Sequence, residues 1–236
     1  RADVVVTVSD AVARQVVERF AVPPERVAVV SSGVSAADRP SIPGEPSTIL
    51  YPAVTHPHKR HVLLIEAFHL LAARHPTARL LLTGGAGRAE ADVRRVIDAG
   101  PHADRIDRVG RIPADALAEA LSAASVVAFP SSYEGFGIPV VEAMAAGVPV
   151  LVADGTPAAD LAGAASVLPA MAGPELWADR LERLLVDDGH RRSLVAEGLA
   201  GATAHTWEAS AAALERAWRL LLSAATGLST SGTGAR

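Results

Sequence analysis

From Ser131 to Glu142 the chain reads Ser-Ser-Tyr-Glu-Gly-Phe-Gly-Ile-Pro-Val-Val-Glu, directly after an apolar run that ends at Phe129-Pro130. Gly135 and Gly137 flank Phe136, and Pro139 then opens a helix, as proline does at a first helical position. The unpaired backbone N–H groups at such an N-terminus form an anion site, and glycines let a diphosphate come close. Glu142 falls near the first turn of this helix, where the macrodipole favours a carboxylate. Glu134 lies on the loop, at the mouth of the same crevice. A bare anion is repelled by carboxylates, whereas hydroxyl groups flanking a phosphate donate hydrogen bonds to them. A nucleotide sugar satisfies both demands, with phosphates on the N–H groups and hydroxyls on the glutamates. A structural reading competes on spacing alone: Glu142 complements the dipole and Glu134 is a solvated loop charge.

Other loops carry weaker signals. Tyr51 to His61 reads Tyr-Pro-Ala-Val-Thr-His-Pro-His-Lys-Arg-His. Lys59, next to a helix start, would bring a point charge to a phosphate. His56, His58 and His61 invite a metal reading, but the segment holds no carboxylate and Pro57 restricts its geometry, so a solvated or hydrogen-bonded histidine cluster is preferred and no metal is assigned. Thr83-Gly84-Gly85-Ala86-Gly87-Arg88 lacks the full dinucleotide glycine pattern and the Gly-Lys-Ser/Thr ending of a P-loop. Its glycines either admit a ligand or make a plain tight turn. Arg111-Ile112-Pro113 either reads a base edge through its backbone or is an ordinary turn between strand and helix.

Each of these segments follows a strand. Thr48 to Pro52, Ala78 to Thr83, Ile106 to Val109, Ser125 to Phe129, Val148 to Val152 and Ser166 to Leu168 read as strands. Helices are expected at His61 to Arg74, Ala89 to Ala99, Ala114 to Ala124, Pro139 to Ala146 and Pro157 to Leu161, then at Glu175 to Asp187, Gly189 to Thr203 and Trp207 to Leu222. Alternating units with near-continuous apolar strands predict an α/β fold, a parallel sheet with helices on both faces. Such sheets bind ligands beyond the carboxyl ends of their strands, where the strand order reverses. Upstream, Val4 to Val8 and Val27 to Val30 read as strands, with a helix from Ala11 to Phe20 that Ser9 or Asp10 caps. Ser31 to Ser47 reads as a linker. In the last helix Trp207, Ala211, Leu214, Trp218 and Leu221 form an apolar stripe that packs on its own domain or docks on another.

Composition narrows the classes. The 236 residues carry 22 Lys+Arg and 26 Asp+Glu, a net charge of −4, which gives no electrostatic footprint for nucleic acid. Half are apolar, enough for a core. No apolar run approaches the roughly 18 residues that span a bilayer, and no signal peptide is visible. The absence of cysteine excludes disulfides, thiol catalysis and thiolate metal sites, and is compatible with a reducing cytoplasm.

Taken together, the segments resemble the donor half of a retaining GT-B glycosyltransferase of family 4 (glycosyl transferases group 1). The most specific part is the nineteen-residue run from Ser132 to Val150, in which Glu134 and Glu142 match the family's Glu-x7-Glu motif. Pro57-His58-Lys59 resembles its phosphate-binding lysine region, Val109-Gly110-Arg111-Ile112-Pro113 its nucleobase-contacting turn, and Trp207-Glu208 the pair that opens its terminal helix. The resemblance implies a Rossmann-like C-terminal GT-B domain plus a remnant strand and helix of the N-terminal domain. The expected divisions are 1–34 as the end of the acceptor domain, 35–47 as linker, 48–204 as the nucleotide-sugar domain, 205–222 as a crossover helix and 223–236 as a disordered tail. It further implies that Glu134 and Lys59 are catalytic, Glu134 against the donor sugar and Lys59 neutralising the departing diphosphate. Glu142 would bind ribose hydroxyls, backbone N–H groups of Gly135, Phe136 and Gly137 would hold sugar and phosphate, and Gly84, Arg88, Arg111 and Ile112 would complete the donor site. No metal and no cofactor are expected. The implied partners are a nucleotide-sugar donor, with GDP-mannose or a similar donor favoured by the Pro-His-Lys variant, a glycan or lipid-linked acceptor, and an N-terminal GT-B domain in cis or trans. The implied location is cytoplasmic, either free or peripheral at the inner membrane.

Two departures matter. The family often has an arginine six residues before the lysine, where this chain has Ala53, leaving Lys59 with Arg60 or Arg88 as substitutes. The sequence also looks like a fragment or one half of a split enzyme, expected to bind donor but to transfer sugar poorly alone. Alternatives are a nucleotide-sugar-binding module without turnover and a GT-B-related nucleotide-sugar epimerase. A Rossmann oxidoreductase is disfavoured by the missing fingerprint.

Overall fold

The computed structural model describes residues 2–35 and 47–229. The chain divides into two compact units, one of residues 35–203 and one that joins residues 1–34 to residues 204–236.

The smaller unit begins with β1 (Val5–Thr7), α1 (Asp10–Phe20) and β2 (Val27–Val29), the two strands pairing in parallel. Ser9 caps α1 as its residue type predicts, its hydroxyl accepting from the Val12 N–H at 3.2 Å. Residues 33 and 34 run against residues 205–207. The Val34 N–H donates to the His205 carbonyl, and a Cβ on Gly33 would fall 2.5 Å from the Trp207 nitrogen, so only glycine allows this approach.

The larger unit holds β3 (Thr48–Pro52), α2 (His61–Arg74), β4 (Arg79–Thr83), α3 (Glu90–Ala99), β5 (Ile106–Gly110), α4 (Ala114–Ala123), β6 (Val126–Phe129), α5 (Ile138–Ala145), β7 (Val150–Ala153), α6 (Pro157–Ala162), β8 (Val167–Leu168), α7 (Pro174–Val186) and α8 (Asp188–Ala202). Its six strands are parallel in the order β5-β4-β3-β6-β7-β8. Ile49, Leu50 and Tyr51 of β3 and all of β6 and β7 are buried, because helices cover both faces and leave no solvated side for polar residues. Successive strands step outward from β3 to β5, then β6 returns to the other side of β3. With right-handed crossovers this reversal sends α2 and α3 to one face and α5 to the other. α7 packs on α2, and α8 packs on α5. The reversal therefore opens a crevice where β3 and β6 end.

The smaller unit closes with α9 (Trp207–Ser229), which continues seven residues past the expected end at Leu222. The expectation for the rest of the tail, and for most of the linker, lies outside the described residues. The predicted stripe is not the buried face of α9: Trp207 and Trp218 are each 59% exposed, and Ala217 is buried instead.

Candidate active site

The two richest sequence segments meet at the strand reversal. Lys59 follows β3 and Glu134 follows β6, and their side chains form an ion pair with Nζ 2.6 Å from Oε1. Both are mostly covered, at 17% and 10% exposure. The Lys59 ammonium also lies 5.3 Å from the centre of the Phe129 ring, within cation–π range. The loops are stitched together from below. Tyr51, fully buried on β3, donates its hydroxyl hydrogen to the Lys59 carbonyl at 2.7 Å, and its oxygen lies 2.9 Å from the Ser131 hydroxyl. The Ser132 N–H and hydroxyl both donate to the His58 carbonyl. Tyr51, Ser131 and Ser132 were legible only as strand and loop residues, yet they set the separation of the paired charges.

Past Glu134 the chain turns sharply into α5. Gly137 has φ 112°, a left-handed conformation that favours glycine, and a Cβ there would come 2.9 Å from the Ala158 Cβ. Phe136 is buried and anchors the loop between its two glycines. α5 begins at Ile138, one residue before the expected Pro139, so Glu142 is its fifth residue and lies just past the first turn. Burial raises its pKa above the ordinary carboxylate value, and no group among the described residues bonds its carboxylate. Burial is the cause of the Glu142 shift, and its place just past the first turn weakens the dipole reading.

The Gly-rich segment lies beside the β3 loop. Gly84 has φ 110°, and a Cβ there would meet the Ala53 carbonyl oxygen at 2.4 Å. Its N–H donates to the Gly110 carbonyl at 2.8 Å, which places Arg111 and Ile112 next to this loop, Arg111 exposed and Ile112 half-buried. Arg88 is exposed, without a hydrogen bond or ion pair among the described residues. Arg60, read as a substitute phosphate ligand, instead donates to the Ala170 carbonyl beyond β8.

The three histidines separate. His56 and His58 stack with centroids 5.7 Å apart, and His58 meets the exposed Tyr133 ring edge-on. Burial and the neighbouring Lys59 charge lower the His58 pKa, so its ring is neutral at pH 7. His61 is buried against Tyr51, centroids 4.6 Å apart. Burial, reinforced by the Arg108 charge, pushes its pKa down to about 4. The fold therefore holds His61 neutral, a contribution complete above the unfolded value near 6.5 and lost as pH falls from there to about 4. At full burial this amounts to about 3 kcal/mol. His61→Phe is expected to keep the ring contact and remove that loss. The check is the urea-unfolding free energy of both proteins at pH 7 and pH 4, whose difference should change between the two; a constant difference sinks the assignment.

A model of the family described as glycosyl transferases group 1 matches residues 36–199. The O-antigen chain mannosyltransferase B of Escherichia coli is 28% identical over 93% of this chain and 61% of that protein. The D-inositol 3-phosphate glycosyltransferase of Corynebacterium diphtheriae is 35% identical over 65% of this chain and 38% of that protein. Among solved structures, the sucrose-phosphate synthase of Thermosynechococcus elongatus superposes with a TM-score of 0.78 at 25% identity, covering 95% of this chain and 59% of that one. The chain thus spans roughly 40 to 60% of the length of these relatives.

Proposed function

The chain belongs to the glycosyl transferases group 1 family, and from that premise we propose that its larger unit is the donor site of a retaining glycosyltransferase, binding a nucleoside-diphosphate sugar at the crevice between β3 and β6. The observation that carries this reading is the Lys59–Glu134 pair at the strand reversal, a cation for the diphosphate and a carboxylate for sugar hydroxyls within one crevice.

In this reading Lys59 takes the diphosphate charge that grows as the bond to the sugar breaks. The backbone N–H groups of Gly135, Phe136 and Gly137 hold sugar and phosphate, Glu134 lies against the sugar near the reacting carbon, and Glu142 accepts from the ribose hydroxyls. Gly84 and Arg88 border the phosphates, and Arg111 and Ile112 the base. The residues supply positioning and electrostatic stabilisation of an oxocarbenium-like state, and the departing phosphate takes the acceptor proton. GDP-mannose is the finer donor assignment, supported by the Pro-His-Lys run and by the mannosyltransferase name of one relative. The acceptor is a glycan or a lipid-linked sugar, which an acceptor-binding GT-B domain in cis or trans would present.

Calorimetric titration of the chain with GDP and with UDP tests the site: saturable binding of one supports it, and binding of neither by the folded chain removes it. Glu142 adds a pH test. Ribose hydroxyls donate to its ionised form, and burial has raised its pKa. Nucleotide affinity should therefore fall on acidification while ordinary carboxylates are still charged. Glu142→Gln should weaken binding by about 1.5–3 kcal/mol at neutral pH and flatten that pH dependence. A folded variant with unchanged affinity would contradict the ribose role.

A further inference from the structure

Four residues before Lys59, Thr55 is fully buried and spends all its polar groups on one stretch, the end of the Gly-rich segment and the start of α3 from Gly85 to Glu90. Its N–H donates to the Gly85 carbonyl, and its carbonyl accepts from the Ala89 N–H at 2.8 Å. Its hydroxyl accepts from the Gly87 N–H at 2.7 Å and donates to the Glu90 carboxylate at 2.8 Å. The same Glu90 oxygen accepts from Arg108, also at 2.8 Å. Arg108 in turn donates to the Gly84 and Gly85 carbonyls at 2.8 and 3.2 Å. Its side chain is only 5% exposed. One guanidinium on β5 thus holds the start of the Gly-rich segment directly and its end through Glu90. Thr55 transmits that geometry to the loop that carries Lys59.

A buried ion pair is weak evidence for stability, because apolar residues of similar volume often do as well. What an apolar side chain cannot supply is the planar fork that fixes two carbonyls and a carboxylate at once. A phosphate-binding lysine gains from such fixing, since its ammonium has a long flexible stem and only the loop beneath it sets where it starts.

We infer that Arg108, Glu90 and Thr55 are positioning residues of the donor site, which set the Gly84–Gly87 segment and, through Thr55, the placement of Lys59 against the diphosphate. The inference rests on the nucleotide-sugar reading and names residues outside its motifs. In this arrangement the three act through the Gly-rich segment and Lys59, so their effect must appear in the part of the affinity that the phosphates contribute.

The experiment titrates the chain and its variants with a nucleoside diphosphate and with the matching nucleoside, and monitors the melting transition of each sample. Arg108→Met and Thr55→Val are expected to lose about tenfold or more of the preference for diphosphate over nucleoside. Thr55→Ser keeps the hydroxyl and should restore that preference. Adding Lys59→Met to either variant should then cause a smaller loss than it does in the unmodified chain, because the two changes act on one contact. If Arg108→Met does not fold, the Thr55 pair decides alone. A folded Arg108→Met or Thr55→Val with an intact diphosphate preference overturns the inference and leaves the donor site standing. An unmodified, folded chain that binds no nucleoside diphosphate overturns the donor site, and the inference with it.

Discussion

Replacing Lys59 by methionine is expected to lower the affinity for a nucleoside diphosphate by about 1.5–3 kcal/mol, or roughly 10- to 150-fold, the range of a hydrogen bond to a charged group. Two effects act in the same direction. The ammonium that faces the diphosphate is lost, and Glu134, at 10% exposure, is left without its ion-pair partner in the crevice that must admit an anion. The second effect also reaches stability. Removing one partner of a buried ion pair destabilises by about 3–5 kcal/mol, and the residual exposure of this pair places it at the lower end. Lys59→Met combined with Glu134→Gln should recover most of that stability, since neither charge is left alone, and should recover only the share of affinity lost to the unpaired Glu134 charge, not the share lost with the ammonium. Calorimetry with the diphosphate and urea unfolding of the same samples separate the two effects. A folded Lys59→Met that binds the diphosphate normally removes Lys59 from the site.

The sequence located Lys59 and Glu134, though not their pairing, because both residues follow strands, and parallel strands are legible as apolar runs. β3 and β6 are buried on both faces, so their apolar content is continuous, and α2 falls at His61–Arg74 as predicted. The strand order was not read, but the general rule that ligands sit where the order reverses was enough to single out the loops. The support beneath the pair was not legible. Arg108 lies in a short strand whose pattern gives no sign that its guanidinium turns back onto Gly84. Its partner Glu90 stands eighteen residues away with no helical or strand spacing to connect them. Tyr51 read as one more strand residue, because the Lys59 carbonyl that uses its hydroxyl is placed by a turn of 3₁₀ helix at Pro57–Lys59. Glu142 is read through the helix dipole as a first-turn carboxylate, but α5 starts at Ile138, one residue before Pro139, which makes Glu142 its fifth residue and puts it just past the first turn. In each case periodicity reports which face is covered. Polar contacts between loops leave no periodic trace.

Glu134→Gln tests the other half of the pair and should separate binding from transfer. The glutamine keeps an oxygen and nearly the same volume but loses the charge that Lys59 faces at 2.6 Å. In the unliganded chain Glu134 already holds the Lys59 ammonium, so the carboxylate competes with the diphosphate for that charge. Removing its charge should leave nucleoside-diphosphate affinity unchanged or raise it, opposite in sign to the effect at Lys59. Transfer should move the other way. If the carboxylate stabilises positive charge developing on the sugar, its loss in the reconstituted transferase should lower kcat by about 10²–10³-fold, as removal of other preorganised electrostatic groups does. The measurement is a diphosphate titration beside a turnover assay with an added acceptor-binding domain. Normal turnover removes Glu134 from the mechanism. A fall in diphosphate affinity would mean that the ion pair holds Lys59 ready for the phosphates, so that Glu134 assists binding before it assists the chemistry.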